Sequence, residues 1–142
     1  MADKILALHY INGDKVQLEQ VMMVQSMLEI MEHNVQARPY DTPHGATETR
    51  AFDNVDGAVI QVDRCVEPES VVLAKYYLNH KKVPVLLITQ NQVPYIKERY
   101  PNSTIVCEDL GTKNLESLMK EGAIALSAPF TFDQLAEKVD AL

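Results

Sequence analysis

The strongest constraint on what this chain can fold into is a set of short apolar runs with almost no polar alternation, clearest in A-V-I-Q-V at 58–62 and P-V-L-L-I at 84–88. A strand with one face in water alternates apolar and polar residues. A strand covered on both faces does not, and such coverage belongs to parallel sheets flanked by helices. Runs of this kind occur at Ile5–Leu8, Val35–Tyr40, Ala58–Val62, Val85–Ile88, Thr104–Cys107 and Ala123–Leu126.

Helical patterns separate them. The first spans Val16–Glu32, where Leu18, Val21, Met22, Val24, Met27, Leu28 and Met31 make a wide apolar face and Asp14 stands as a candidate cap. Its methionines, Met22, Met23, Met27 and Met31, read as adaptable core filling or as a helix-mediated dimer contact. Shorter helices are expected at Ala46–Phe52, Ser70–His80, Gln92–Arg99, Leu115–Glu121 and Thr131–Ala141, the last opening on Thr131 with Gln134 at the capping-box position. Alternating strands and helices, joined by right-handed crossovers, predict a single three-layer α/β domain over residues 1–142. Its sheet is expected to be mainly parallel and flavodoxin-like, with five or six strands and helices on both faces.

Composition narrows the class further. At 142 residues and 46% hydrophobic the chain can bury a continuous core, and it has no apolar stretch near the roughly 20 residues of a membrane span. The start, M-A-D-K-I-L-A-L-H-Y, lacks the build of a signal peptide, so a cytoplasmic setting is expected. Cys65 and Cys107 have no C-x-x-C spacing, and His9, His33, His44 and His80 have no metal-type spacing, so neither a metal nor a cofactor is expected. The charge of −7 argues against a duplex nucleic-acid partner.

In an open α/β sheet, ligands sit outside the carboxyl ends of the strands. That rule selects Tyr10 and Asn12 after the first strand, Asp41 and His44 after the second, Asp63, Arg64, Glu67 and Glu69 after the third, and Asn91 after the fourth. With a flavodoxin-like strand order, Tyr10, Asn12, Asp63, Glu67 and Glu69 face one crevice. The polar stretch D-T-P-H-G-A-T-E-T-R at 41–50 is a candidate lid. No G-x-x-x-x-G-K-[ST], G-x-G-x-x-G or G-x-S-x-G occurs, which disfavours P-loop, dinucleotide and acyl-transfer chemistry. What remains is D-R-C-V-E-P-E-S at 63–70. Its carboxylates either serve the dipole and cap of the following helix or stabilise a developing positive charge on an anomeric carbon. Tyr10 would stack on a base and Arg64 would meet a phosphate.

The segment N-V-D-G-A-V-I-Q-V-D-R, followed by a loop, a helix and K-K-V-P-V-L-L-I, resembles the middle of the nucleoside 2-deoxyribosyltransferase-like group and its TIR-like relatives, over residues 54–89. Asp56 and Asp63 match the acidic positions, and Pro84 and Val85 match a Pro-Val pair. The resemblance implies a deoxyribosyltransferase-like fold and a nucleoside, nucleotide or NAD-derived ligand, with N-glycosidic cleavage or transfer as its chemistry. The family's glutamate position falls on Ala74, so Glu69 is the nearest candidate catalytic group and Asp63 its partner. His9 and Tyr10 stand where the transferases carry a small Gly-Pro turn.

Two alternatives remain open at this point. One is a non-catalytic binder that sequesters or senses such a ligand, as a homo-oligomer through the Met-rich helix 16–32. The other is a receiver-like protein-interaction module. A receiver needs an acidic pair after the first strand and a phosphoacceptor aspartate after the third; Asp63 suits the second role, but His9-Tyr10 takes the place of the pair.

Overall fold

A computed structural model describes residues 4–11, 15–40, 51–62, 68–90, 115–128 and 130–142. Within them five strands make one parallel sheet: β1 (Ile5–Ile11), β2 (Asn34–Tyr40), β3 (Gly57–Gln61), β4 (Val85–Gln90) and β5 (Ile124–Ala128), in the order β2-β1-β3-β4-β5. The apolar runs I-L-A-L, G-A-V-I and V-L-L-I fall in the three inner strands, where both faces are covered. Edge strand β2 carries Arg38 and Pro39, and Pro39 lacks the N–H that an inner strand would need. Register follows the same logic: Leu8 lies between Ala37 and Val59, and Leu87 between Ile60 and Ala125.

The helices are α1 (Lys15–Ile30), α2 (Pro68–Tyr76) running into a π-helical turn at Tyr77–Lys81, α3 (115–120) and α4 (Phe132–Asp140). One side of the sheet is covered by α1 and α4, whose Val21, Val24, Leu28, Leu135 and Val139 pack on Leu6, Leu8, Val59, Leu86 and Ile88. The other side takes α2 and α3, with Leu73, Ala74, Tyr77 and Leu118 on Ala7, Ala58, Ile60, Val85 and Leu87. Successive residues of β1 therefore point into two different cores. That is the three-layer α/β arrangement expected from the unalternating runs.

Element ends are closed by specific bonds. At the end of α1 the amides of Glu32 and His33 donate to the carbonyls of Glu29 and Leu28 (2.9 and 3.1 Å), a Schellman motif with Glu32 in the left-handed region (φ 69). The end of α3 repeats it with Gly122 (φ 109), whose amide and that of Ala123 reach Met119 and Leu118. Thr131 and Gln134 form the expected capping box on α4. The Lys4 ammonium donates to the carbonyls of Val139 and Leu142 (3.1 and 2.9 Å), closing the far end of that helix. At the amino edge of the sheet, Asp56 binds Ile5 twice, accepting its amide on Oδ2 (2.8 Å) and donating its own amide to its carbonyl (2.7 Å).

Two expectations change. Residues 51–56, which include the end of the helix expected over Ala46–Phe52, are irregular; the Phe52 amide donates to the Tyr77 hydroxyl (2.8 Å) instead of to a helical carbonyl. The wide apolar face of α1 is also only partly buried. Val21, Val24 and Leu28 face the sheet, whereas Leu18 and Met22 are exposed, because a helix lying on a sheet covers only part of its circumference. The strand expected at 104–107, the helix at 92–99, Asp14, Cys65, Cys107 and the 41–50 stretch lie outside the described residues.

Candidate functional site

In open α/β sheets ligands sit outside the carboxyl edge, and β1 brings His9 and Tyr10 toward that edge. Side chains alternate along the strand, so His9 shares the face of Ala7 while Tyr10 points to the other side. Tyr10 is half-buried against the core beneath α1 and α4.

His9 is fully buried and sits in a closed set of hydrogen bonds. Its Nδ1 lies 3.1 Å from the carbonyl oxygen of Arg38, and a carbonyl only accepts, so Nδ1 carries the proton. Nε2 is then an acceptor, and it takes the Tyr77 hydroxyl proton at 2.6 Å. The Tyr77 oxygen in turn accepts the Phe52 amide at 2.8 Å. Phe52 and Tyr77 flank the imidazole with ring centroids 5.6 and 5.5 Å away, and the Arg38 guanidinium lies 4.1 Å from the centre of the Phe52 ring.

These surroundings fix the charge state. Burial pushes the His9 pKa down from 6.5 to about 4, opposed by the Arg38 carbonyl bond and aided by the Arg38 charge. Burial likewise pushes Tyr77 up to about 12, with the Phe52 amide bond opposing. Both groups are neutral at pH 7. Every polar atom of the pair is already committed, so the pair joins β1, β2, the 51–56 segment and the π-turn without offering a free acid or base. A second strut supports the same segment: the half-buried Lys81 ammonium lies 2.7 Å from the exposed Asp53 carboxylate, and that hydrogen bond and its charge hold the Asp53 carboxyl below its ordinary value and the Lys81 ammonium above it.

On the other side of the sheet, buried Gln61 of β3 donates its amide to Gln20 of α1, placing a polar tie beside β1.

Of the residues chosen from the sequence, Tyr10 is described, and Glu69 is placed by its backbone in the first turn of α2. Asn12, Asp41, His44, Asp63, Arg64, Glu67 and Asn91 lie outside the described residues. Sequence alone does not mark His9 and Tyr77 as a pair. Its signals were present: His9 is two residues from Ala7 on an inward-facing strand, and Tyr77 follows Leu73 and Ala74 at helical spacing.

No family model and no curated protein matches the chain. Solved structures do. The signal receiver domain of a modulated diguanylate cyclase from Desulfovibrio desulfuricans is similar over 96% of this chain and 90% of its own, with a TM-score of 0.59 and 14% identity. The chemotaxis response regulator CheY4 of Vibrio cholerae is similar over 99% and 98%, with a TM-score of 0.56 and 18% identity. A short-chain flavodoxin associated with a bacterial microcompartment is similar over 100% and 97%, with a TM-score of 0.50 and 14% identity.

The fold is the one shared by receiver domains and flavodoxins. This corrects the resemblance to the deoxyribosyltransferase-like and TIR-like group, and with it the expectation of nucleoside recognition and N-glycosidic chemistry. The reason is visible in the matched positions. Asp56 is engaged with Ile5 at the amino edge of the sheet, opposite the ligand edge, and Pro84 and Val85 open β4 at that same end. The strand, helix, strand cadence over 54–89 is common to parallel sheets of this order and carries no substrate information.

Proposed function

We propose that this chain is a receiver-like protein-interaction module that works without phosphoryl transfer to an aspartate. The reading is supported by receiver-like topology together with His9, two residues before the end of β1. Where a receiver carries an acidic pair to hold a divalent cation, this chain carries His9 and Tyr10, and His9 is buried, neutral and hydrogen-bonded on both nitrogens. A neutral imidazole turned into the core supplies neither charge nor a free lone pair for a cation at that edge. On this reading Asp63 gains no cation-holding partner from His9 or Tyr10, and a transferring phosphoryl group needs such a cation to neutralise its charge.

The module would then present a fixed surface to a protein partner. Among the described residues no helix is long and apolar enough to cross a membrane, and a cytoplasmic setting fits the receiver-like reading.

The test uses acetyl phosphate with Mg²⁺, and beryllofluoride in parallel. The expected result is no phosphoryl adduct by mass spectrometry and unchanged amide chemical shifts around β1 and β3. An adduct on Asp63 accompanied by shifts at the β1 edge would overturn the reading.

A further inference from the structure

The outward face of α1 is unusually apolar for a helix lying on a sheet. Leu18, Met22, Met23 and Ile30 are 42, 60, 43 and 70% exposed, while Val21, Val24 and Leu28 already supply the buried stripe. At 100° per residue the exposed four fall within an arc of about 140°, which they share with Glu19, Ser26, Glu29 and, at the start of the helix, Lys15. The stretch 18–30 contains no Lys, Arg or His. Next to it on the same side of the sheet, α4 exposes Phe132, Asp133 and Glu137, and Lys138 is its one basic residue. Basic residues gather on the opposite layer instead, at Lys75, Lys81, Lys82 and Lys120. The α1–α4 side is therefore an exposed apolar patch interspersed with Glu19 and Glu29 and bordered by the acidic residues of α4.

Charge decides what fits there. A second copy of the chain would bring Glu19 against Glu19 in a parallel pairing, or Glu19 against Glu29 in an antiparallel pairing centred on Val24, with Lys15 and Lys138 as the basic residues of the two helices against Glu19, Glu29, Asp133, Glu137 and Asp140. A helix with its own Leu/Met stripe and flanking Lys and Arg meets complementary groups at Glu19, Glu29, Asp133 and Glu137, which outnumber Lys15 and Lys138. Unbranched methionines suit the seam because they can adapt to a partner's contours.

We propose that the outward face of α1, with the adjoining rim of α4, is a docking surface for a cationic amphipathic helix of a protein partner. The proposal rests on the reading of the chain as an interaction module and names the surface that such a module would use.

Fluorescence anisotropy on the full chain tests it with two labelled peptides of about 18 residues, roughly five helical turns, that share one Leu/Met stripe but are flanked by Lys/Arg or by Glu. The cationic peptide is expected to bind, and to weaken at least about fivefold when salt is raised from roughly 0.05 to 0.5 M. The acidic twin is expected not to bind. The double variant Met22→Asp with Ile30→Asp should lose at least about tenfold in affinity for the cationic peptide at an unchanged melting temperature, since both side chains are exposed. Those substitutions add negative charge, so a merely electrostatic attraction would strengthen instead. Glu19→Lys with Glu29→Lys should reverse the peptide preference.

Equal binding of the two peptides, or full binding by the aspartate variant, overturns the proposal. So does a homodimer in sedimentation that the aspartate variant abolishes, because the face is then covered by a second copy. A phosphoryl adduct on Asp63 would instead sink the module reading while leaving the peptide result standing.

Discussion

At the scale of single residues, the His9–Tyr77 pair is the most consequential feature of the molecule. A hydroxyl that accepts one buried amide and donates to one buried imidazole cannot be removed without stranding both. Tyr77→Phe is therefore expected to cost on the order of 1–3 kcal/mol, measured by urea unfolding, although it keeps the ring and nearly all the buried area. A value near zero would mean that the pair is dispensable. The same pair makes stability depend on pH. His9 titrates near 6.5 when unfolded and near 4 when folded, so between those values the unfolded chain binds more protons. Its contribution is complete above about pH 6.5 and is lost as pH falls toward 4, amounting to roughly 3 kcal/mol over that window. The direct measurement is the His9 ring proton titration by NMR, expected to show no midpoint above about pH 5. A midpoint near 6.5 would contradict the burial argument. None of this is legible as a site, because the partners are 68 positions apart and only the packing of the π-helical turn against β1 joins them.

At the scale of elements, α1 and α3 end in the same motif with opposite residue choices, which separates backbone strain from packing. Gly122 sits at φ 109 with open space where a Cβ would go, so Gly122→Ala should lose about 1 kcal/mol through conformation alone. Glu32 occupies the corresponding place at φ 69, and Glu32→Gly should gain up to about 1 kcal/mol by relieving the left-handed penalty. Paired thermal melts check both; equal signs for the two changes would refute the strain account. Removal of the capping hydroxyl by Thr131→Ala should cost about 1 kcal/mol in the same assay. The cap on α4 was readable from sequence, since Thr131 and Gln134 are local and their spacing specifies the bonds. Glu32 was not, because a left-handed residue without glycine carries no sequence mark.

The two cores share one sheet, and this governs the molecule as a whole. Leu28 and Leu73 lie on opposite sides, each fully buried against strands whose alternate residues serve the other side. Leu28→Ala and Leu73→Ala should each cost on the order of 2–5 kcal/mol and should shift one common unfolding transition. Tryptophan is absent, so circular dichroism and tyrosine fluorescence are suitable probes. Two separate transitions would show that the layers unfold independently.

What the amino-acid sequence determined by itself was local: unalternating runs that must be covered on both faces, helical stripes between them, and a capping box set by residues three apart. Those relations act over a few neighbouring residues, so the layered α/β class, much of the strand set and the bounds of α1 and α4 could be read directly. Strand order, the neutral pairing of His9 with Tyr77, and which half of the apolar α1 surface stays in water depended on contacts between distant segments. These came from the tertiary structure alone, because burial and hydrogen-bond partnership are properties of the packed sheet and are not encoded in any one stretch of chain.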